Sequence, residues 1–203
     1  MIAVCNTSPI SSLIQIGQLT LLENLFTELW IPPEVAAELD EGAEFLGDWR
    51  TALGAATIRT RPIANRALLD DLSVRLHVGE AAAITLATEI DGAVLIIDDS
   101  PGRKVATTLG VRCTGTVGLL VLSKQAGHVA RIAPLLEDLR GRSPGSVLAL
   151  LDRRALDGEQ FLDPDDPEHV LLERRPVRLR RALRAEAVRE VRVDRLPGGI
   201  GRE

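Results

Sequence analysis

The chain has 203 residues, 45% of them hydrophobic and 26% charged, the balance of a folded globular protein rather than a disordered one. Its formal net charge is −5, no apolar run approaches the roughly 18 residues of a membrane span, and Met1, Ile2, Ala3 and Val4 carry no basic leader, so a cytoplasmic protein with neither membrane helix nor signal peptide is expected. Two distant cysteines, Cys5 and Cys113, and three isolated histidines, His77, His128 and His169, exclude a disulfide framework and a clustered zinc site, while two Trp, three Phe and no Tyr argue against aromatic platforms for single-stranded nucleic acid.

Ile2–Cys5 is a short apolar run and is predicted as a strand. Ile10, Leu13 and Ile14 give residues 8–16 helical spacing, and Gly17 ends that helix. A second short helix is predicted over 19–26 and a strand over 29–31, stopped by Pro32 and Pro33. Pro33 suits the first turn of a helix running through Leu39, where its missing N–H costs nothing. A short strand over 57–63 and a helix from Gly79 to about Ile90 follow. Residues 94–97 read as the strongest strand, apolar throughout, as expected when both faces are covered. Beyond it come a helix over 102–109, a strand over 111–114, and helices over 117–125, 132–139 and 146–151. Short strands separated by helices predict an α/β protein, a three-layer α/β/α sandwich around a parallel sheet with right-handed crossovers.

The net charge hides an asymmetry. Residues 173–203 hold ten Arg against five acids, a balance of +5, which leaves −10 for the first 172 residues. Between them Asp163, Pro164, Asp165, Asp166 and Pro167 form a stretch that does not pack. The chain is therefore divided into a domain over residues 1–155, an acidic proline-containing linker over 156–172, and a basic, charged C-terminal extension over 173–203.

In an open α/β sheet, ligands bind beyond the carboxyl ends of the strands. Asp98 and Asp99 directly follow the strand over 94–97, and Asn6, Thr7 and Ser8 follow the first strand in the same way. An Asp in this place also caps the following helix, a task that occupies one of the two acids and not both. Glu80 opens a helix whose Ala83, Ile84 and Ala87 lie on its own face, so its carboxylate borders the buried stripe. A charge there has to be paired, hydrogen-bonded or metal-bound. The plainer alternative is a first-turn Glu favoured by the helix dipole and turned to water. Glu38, with Val35 at i−3 and Leu39 beside it, flanks the core in a similar way. Glu34, Asp40 and Glu41 do not, and are expected to be solvated. Converging carboxylates repel one another and stay ionised together only beside a cation, and all-oxygen ligands select Mg²⁺ or Mn²⁺. Such a centre performs phosphoryl chemistry.

Five segments stand in order: Ile2-Ala3-Val4-Cys5-Asn6-Thr7-Ser8-Pro9-Ile10; Ile31-Pro32-Pro33-Glu34-Val35-Ala36-Ala37-Glu38-Leu39; Gly79-Glu80-Ala81-Ala82-Ala83-Ile84; Leu95-Ile96-Ile97-Asp98-Asp99, with Arg103 beyond; and Gly115-Thr116-Val117-Gly118. Together they resemble the PIN-domain superfamily over about residues 1–150, and within it the prokaryotic VapC-like toxin branch that opens on Asn-Thr-Ser-Pro. The resemblance implies a parallel α/β/α sandwich and a Mg²⁺- or Mn²⁺-dependent endoribonuclease. It places the family's four acidic positions on Asn6, Glu38, Glu80 and Asp99, with Asp98 adjacent as a further metal ligand, and its small hydroxyl residue on Thr7 or Ser8. The first of these positions is ordinarily an aspartate. An amide oxygen coordinates a hard cation without adding charge, so the set implies a weaker, one-metal nuclease. Arg103 and Lys104, just past the aspartates, are candidates for a phosphate contact; the plainer alternative is a solvated helix face.

The resemblance implies RNA as substrate, an antitoxin protein as partner and a homodimer. A body of −10 suits RNA poorly, because backbone binding draws on Lys and Arg. The extension could supply them through Arg174, Arg175, Arg178, Arg180, Arg181 and Arg184, on an amphipathic helix over 177–192 that lies on RNA or on the acidic body. A second class is a catalytically silent binding module acting through a protein partner or a second copy. A nucleotide-binding α/β domain is opposed by Asn6-Thr7-Ser8-Pro9, which stands where a Gly-rich phosphate loop would follow the first strand.

Overall fold

The computed structural model describes residues 1–52 and 58–142. The predicted helix over 146–151, the boundary at 155, the linker and the basic extension lie outside these residues.

Five short strands, β1 (Ile2–Cys5), β2 (Glu28–Ile31), β3 (Ile58–Thr60), β4 (Val94–Ile96) and β5 (Arg112–Thr114), form one sheet in the order β3-β2-β1-β4-β5. All four pairings are parallel, as predicted. The chain walks outward from β1 to β3, crosses back to β4 on the other side of β1, and continues to β5. The reversal makes the β1/β4 border a topological switch point, the place where open α/β sheets offer a crevice at their carboxyl ends.

Helices α1 (Thr7–Gln15) and α2 (Thr20–Leu25) join β1 to β2, and α3 (Pro33–Glu41), α4 (Ala43–Leu46) and α5 (Trp49–Ala52) follow β2. Helices α6 (Arg66–Ser73) and α7 (Val78–Thr88) lead to β4, α8 (Ser100–Thr108) leads to β5, and α9 (Thr116–Gln125) and α10 (Ala133–Arg142) come after it. Helix α7 packs on β1 and β4 and touches α3, α6 and α8; α1 packs with α9 and α10, and α2 with α9 and β2. Right-handed crossovers put the helices between β1 and β2 on one face and those between β3 and β4 and between β4 and β5 on the other, which gives the three layers.

The core explains the boundaries. β4 is buried throughout because both faces are covered. Ala81, Ala82 and Ala83 are fully buried, so small side chains let α7 lie close to the sheet. Pro33 sits in the first turn of α3, as expected. Helix α6 has no predicted counterpart; it is capped by Asn65, whose side chain accepts from Leu68 N, and it buries Leu69 and Leu72. The short helices α4 and α5 also lie outside the predicted set. Cys5 and Cys113 are free and buried. Burial, then the charge of Asp98, pushes the Cys5 thiol well up, which keeps it unreactive. No helix among the described residues is long and apolar enough to cross a membrane.

Candidate active site

The carboxyl ends of β1 and β4 deliver the first residues of the site. Asn6 precedes α1 in extended backbone, is 2% exposed, and donates its backbone N–H to Ile96 O at 3.0 Å. Its side-chain Oδ1 is buried and has no hydrogen-bond partner among the described residues. An unsatisfied buried acceptor costs about 1–3 kcal/mol, so the atom marks a place for a donor or a cation.

Glu38 projects from α3 and accepts hydrogen bonds from Thr7 Oγ1 and from Gly79 N, the latter at 3.1 Å. One carboxylate thus ties α3 to the starts of α1 and α7. Of the two candidate hydroxyls Thr7 is the one engaged, and Ser8 is exposed. Gly79 belongs to this arrangement, because a Cβ there would run into the Glu38 carboxylate.

Asp99 caps α8 through Oδ2, which accepts from Gly102 N at 2.6 Å. Asp98 accepts from Thr116 N and Thr116 Oγ1, both at 2.7 Å. A Cβ on Gly115 would come within 2.7 Å of Asp98 Oδ1. The expectation that capping occupies only one aspartate is corrected here. Two helices open toward the crevice; Asp99 closes the start of α8 and Asp98 that of α9. Each oxygen of Asp98 thus accepts one hydrogen bond from Thr116, as each oxygen of Glu38 accepts one from Thr7 or Gly79. Burial raises the Asp98 carboxyl, while the Thr116 donors and the nearby Arg103 lower it. Arg103 is accordingly half-buried beside Asp98 rather than on a solvated face, whereas Lys104 is exposed.

Glu80 stands in the first turn of α7, half-buried. Burial, then the charge of Asp99 and also that of Glu38, pushes its carboxyl above the ordinary value, against a hydrogen bond from the His77 backbone. Both alternatives read from the sequence hold in part: the residue is at a helix N-terminus, and it also borders the other acids.

Among the described residues no three His, Cys, Asp or Glu side chains are grouped so as to hold an ion by themselves. The oxygen donors near the carboxyl ends of β1 and β4 are of mixed kind. Glu80 and Asp99 supply charge, the orphaned Asn6 Oδ1 supplies a neutral oxygen, and Glu38 is held beside them by Thr7 and Gly79. These are hard oxygen donors, the kind that Mg²⁺ and Mn²⁺ take.

Glu34 also departs from expectation. Its side chain is only 19% exposed. Oε1 accepts from Arg66 Nη1 at 3.2 Å, and Oε2 is buried without a partner among the described residues. The partner lies in α6, the helix that the sequence reading lacked. Asp40 is exposed as expected, though it accepts from Trp49 Nε1 at 2.9 Å and from Arg50. Thr116, Gly79, Gly102 and Gly115 were not among the candidate residues. Their signal is a small or hydroxyl residue in the first turn of a helix that opens at a strand's carboxyl end.

The PIN-domain family model matches residues 2–144 of the chain. No curated protein and no solved structure matches it.

Proposed function

Because the chain belongs to the PIN-domain family, whose members are generally nucleases and typically use divalent metal ions, we propose that it is a Mg²⁺- or Mn²⁺-dependent endoribonuclease hydrolysing RNA phosphodiester bonds. The observation that carries this reading is the buried, unpartnered Oδ1 of Asn6 at the carboxyl end of β1, in a fold where burial, then the charge of Asp99, pushes Glu80 up. Asn6, Glu38, Glu80 and Asp99 would hold the ion. When bound, it would polarise the phosphodiester and lower the pKa of the attacking water.

The chain's own residues have distinct tasks. Thr7 and Gly79 fix the orientation of Glu38, as outer partners of metal ligands do. Glu80, whose carboxyl burial and the charges of Asp99 and Glu38 raise, is the acid whose charge a cation would most relieve. Asp99 stays at the α8 N-terminus, whose backbone N–H groups stabilise its charge. Asp98 acts as a positioning residue that anchors the start of α9. Lys104 and Arg103 are the cations next to the aspartates and available to a substrate phosphate. The opening at residues 6–9 supports a VapC-like toxin within this class, with an antitoxin protein as partner, a homodimer as working form and the cytoplasm as location.

A second reading, a silent binding module, draws on two observations. Asn6 brings no charge, and both Glu38 oxygens already carry protein hydrogen bonds. Calorimetric titration of Mn²⁺ into the metal-stripped chain, with an RNA cleavage assay beside it, separates the two. The nuclease reading expects a Mn²⁺ heat and cleavage that are both lost in Glu80→Gln. Binding and cleavage unchanged in that variant overturn the site. No binding and no cleavage by the wild type leave the silent module.

A further inference from the structure

The edge of the sheet away from β5 carries a second feature. Trp30 of β2 lies opposite Arg59 of β3 in the parallel register, and Arg61 follows two residues on. Side chains at these positions leave the same face of the sheet. The Arg59 guanidinium lies over the Trp30 ring at 5.7 Å from its centroid, and that of Arg61 at 6.0 Å. Trp30 is half-buried and its Nε1 donates to Glu28 Oε2 at 3.1 Å, so the ring is fixed; both arginines are exposed.

Arg59 and Arg61 enter no ion pair among the described residues. Arg50, Arg66 and Arg75 by contrast are paired, with Asp40, Glu34 and Asp71. Two guanidiniums side by side repel, and the face of an indole ring is a surface that holds them together. Seated there, each keeps its planar fork of N–H donors open to an anion, in bidentate geometry that suits phosphate.

Their place in the fold relates them to the acid crevice. Ile31 pairs with Thr60 and Val4 with Trp30, and Arg61 N continues the ladder by donating to Ile31 O at 3.0 Å. The next row past the strand ends therefore runs Arg61, Pro32, Asn6. Arg61 stands level with Asn6, on the same face, two strands away, a separation of about 10 Å at the usual interstrand spacing.

Resting on the nuclease reading above, we propose that Arg59 and Arg61, seated on Trp30, form a subsite for a backbone phosphate of single-stranded nucleic acid, flanking the scissile phosphodiester. A strand laid along the carboxyl rim of the sheet, from the β1/β4 crevice toward β3, brings a neighbouring phosphate to the two forks. The contact is blind to sequence, because it touches no base edge and the Trp30 face is already taken.

The test is the salt dependence of binding of a short labelled oligoribonucleotide, followed by fluorescence anisotropy on the full chain carrying Glu80→Gln, so that nothing is cut. Each lost phosphate contact on a single strand lowers the slope of log affinity against log salt by about 0.7. Arg59→Gln with Arg61→Gln removes one phosphate contact and is expected to lower it by about 0.7, and an oligodeoxynucleotide to show the same change. Arg59→Lys with Arg61→Lys keeps the charge, so the slope is retained while affinity falls, a separation that a folding defect does not give. Mn²⁺ affinity measured with Glu80 in place is expected to be the same with and without the double Gln substitution. An unchanged slope, no binding by the parent chain, or a Lys variant that loses the slope as the Gln variant does would each overturn the subsite. The readout does not depend on cleavage. A wild type that cuts no RNA while the slope still drops fails the nuclease reading alone and leaves a nucleic-acid contact in place.

Discussion

Glu80 is the residue where charge is least compensated. Its folded carboxyl is raised by burial and by Asp99 and Glu38, so between the unfolded value and the raised one the folded chain binds more protons than the unfolded chain. The contribution of Glu80 to the stability of the metal-free protein should therefore be fullest at acid pH and be lost as pH rises through that window, against Asp40 and Asp48, which are lowered and contribute with the opposite sign. Asp98, also raised, adds a contribution of the same sign as that of Glu80. Replacing Glu80 by Gln should flatten the slope, and at neutral pH the metal-free variant should melt no lower than the wild type and higher if repulsion dominates. Thermal melts across pH read this directly; a slope unchanged in Glu80→Gln would refute the account. Metal binding runs the other way, because the ion displaces the proton, so Mn²⁺ affinity should rise with pH over the same window. Thr7 offers a second expectation at this scale. Thr7→Val removes the hydroxyl that orients Glu38 and should cost about 10–100-fold in Mn²⁺ affinity with the melt nearly unchanged, while Thr7→Ser should retain it. Calorimetry on the two variants decides. At residue scale the sequence pointed to Glu80 and to Asp98 and Asp99, since an acid on an apolar helix face and acids past an apolar strand are visible in one dimension. The orphaned Asn6 oxygen and the half-buried Glu34 were not, because both depend on which donors three-dimensional packing brings near.

At the scale of elements, three helix N-termini each take one acid: α7 holds Glu38 through Gly79 N, α8 holds Asp99 through Gly102 N, and α9 holds Asp98 through Thr116 N. The partial positive charge of a helix start stabilises each carboxylate. A glycine stands at each contact because a side chain would collide, at Gly79 with the Glu38 carboxylate, at Gly102 with Ile97 and at Gly115 with Asp98. Gly115→Ala should therefore destabilise the chain by about 1–3 kcal/mol, the cost of forcing extra volume into a packed site. Gly141→Ala in α10, where nothing lies within 4 Å, should instead be neutral or stabilise by up to about 1 kcal/mol. Denaturant midpoints measure both, and equal shifts would show that packing at Gly115 is looser than the geometry states. The strands and most helices were readable from apolar runs and from Gly and Pro punctuation. Helix α6 was missed because Leu68, Leu69 and Leu72 form too brief a stripe among charged neighbours, and its Asn65 cap is recognisable only once the helix is known. The role of glycine as a seat for carboxylates has no periodic signature.

For the molecule as a whole, the topology puts the acids and the arginine pair on one carboxyl rim. Alternating strands and helices imply a parallel sheet, but only the observed order β3-β2-β1-β4-β5 shows that the switch point falls between β1 and β4, and hence why Asn6 and the aspartates meet. The same scale poses the question of charge, since residues 173–203 carry +5 against −10 for the rest. A polyanionic substrate approaching an acidic body needs cations from somewhere, and two sources are on hand: Arg59 and Arg61 on the rim, and Arg174, Arg175, Arg178, Arg180, Arg181 and Arg184 in the extension. Their contributions separate by salt dependence, because each phosphate contact carries its own increment of about 0.7 in the slope. Replacing the six arginines of the extension by Gln in the full chain should lower the RNA slope by up to about 4 if each meets its own phosphate, on top of the about 0.7 from the rim pair. If the extension instead lies on the acidic body, the same replacement should leave the RNA slope where it was and tighten Mn²⁺, because the arginines no longer compete with the ion for the carboxylates. Measuring both quantities on one variant assigns the extension to substrate or to body, since the two arrangements move opposite observables.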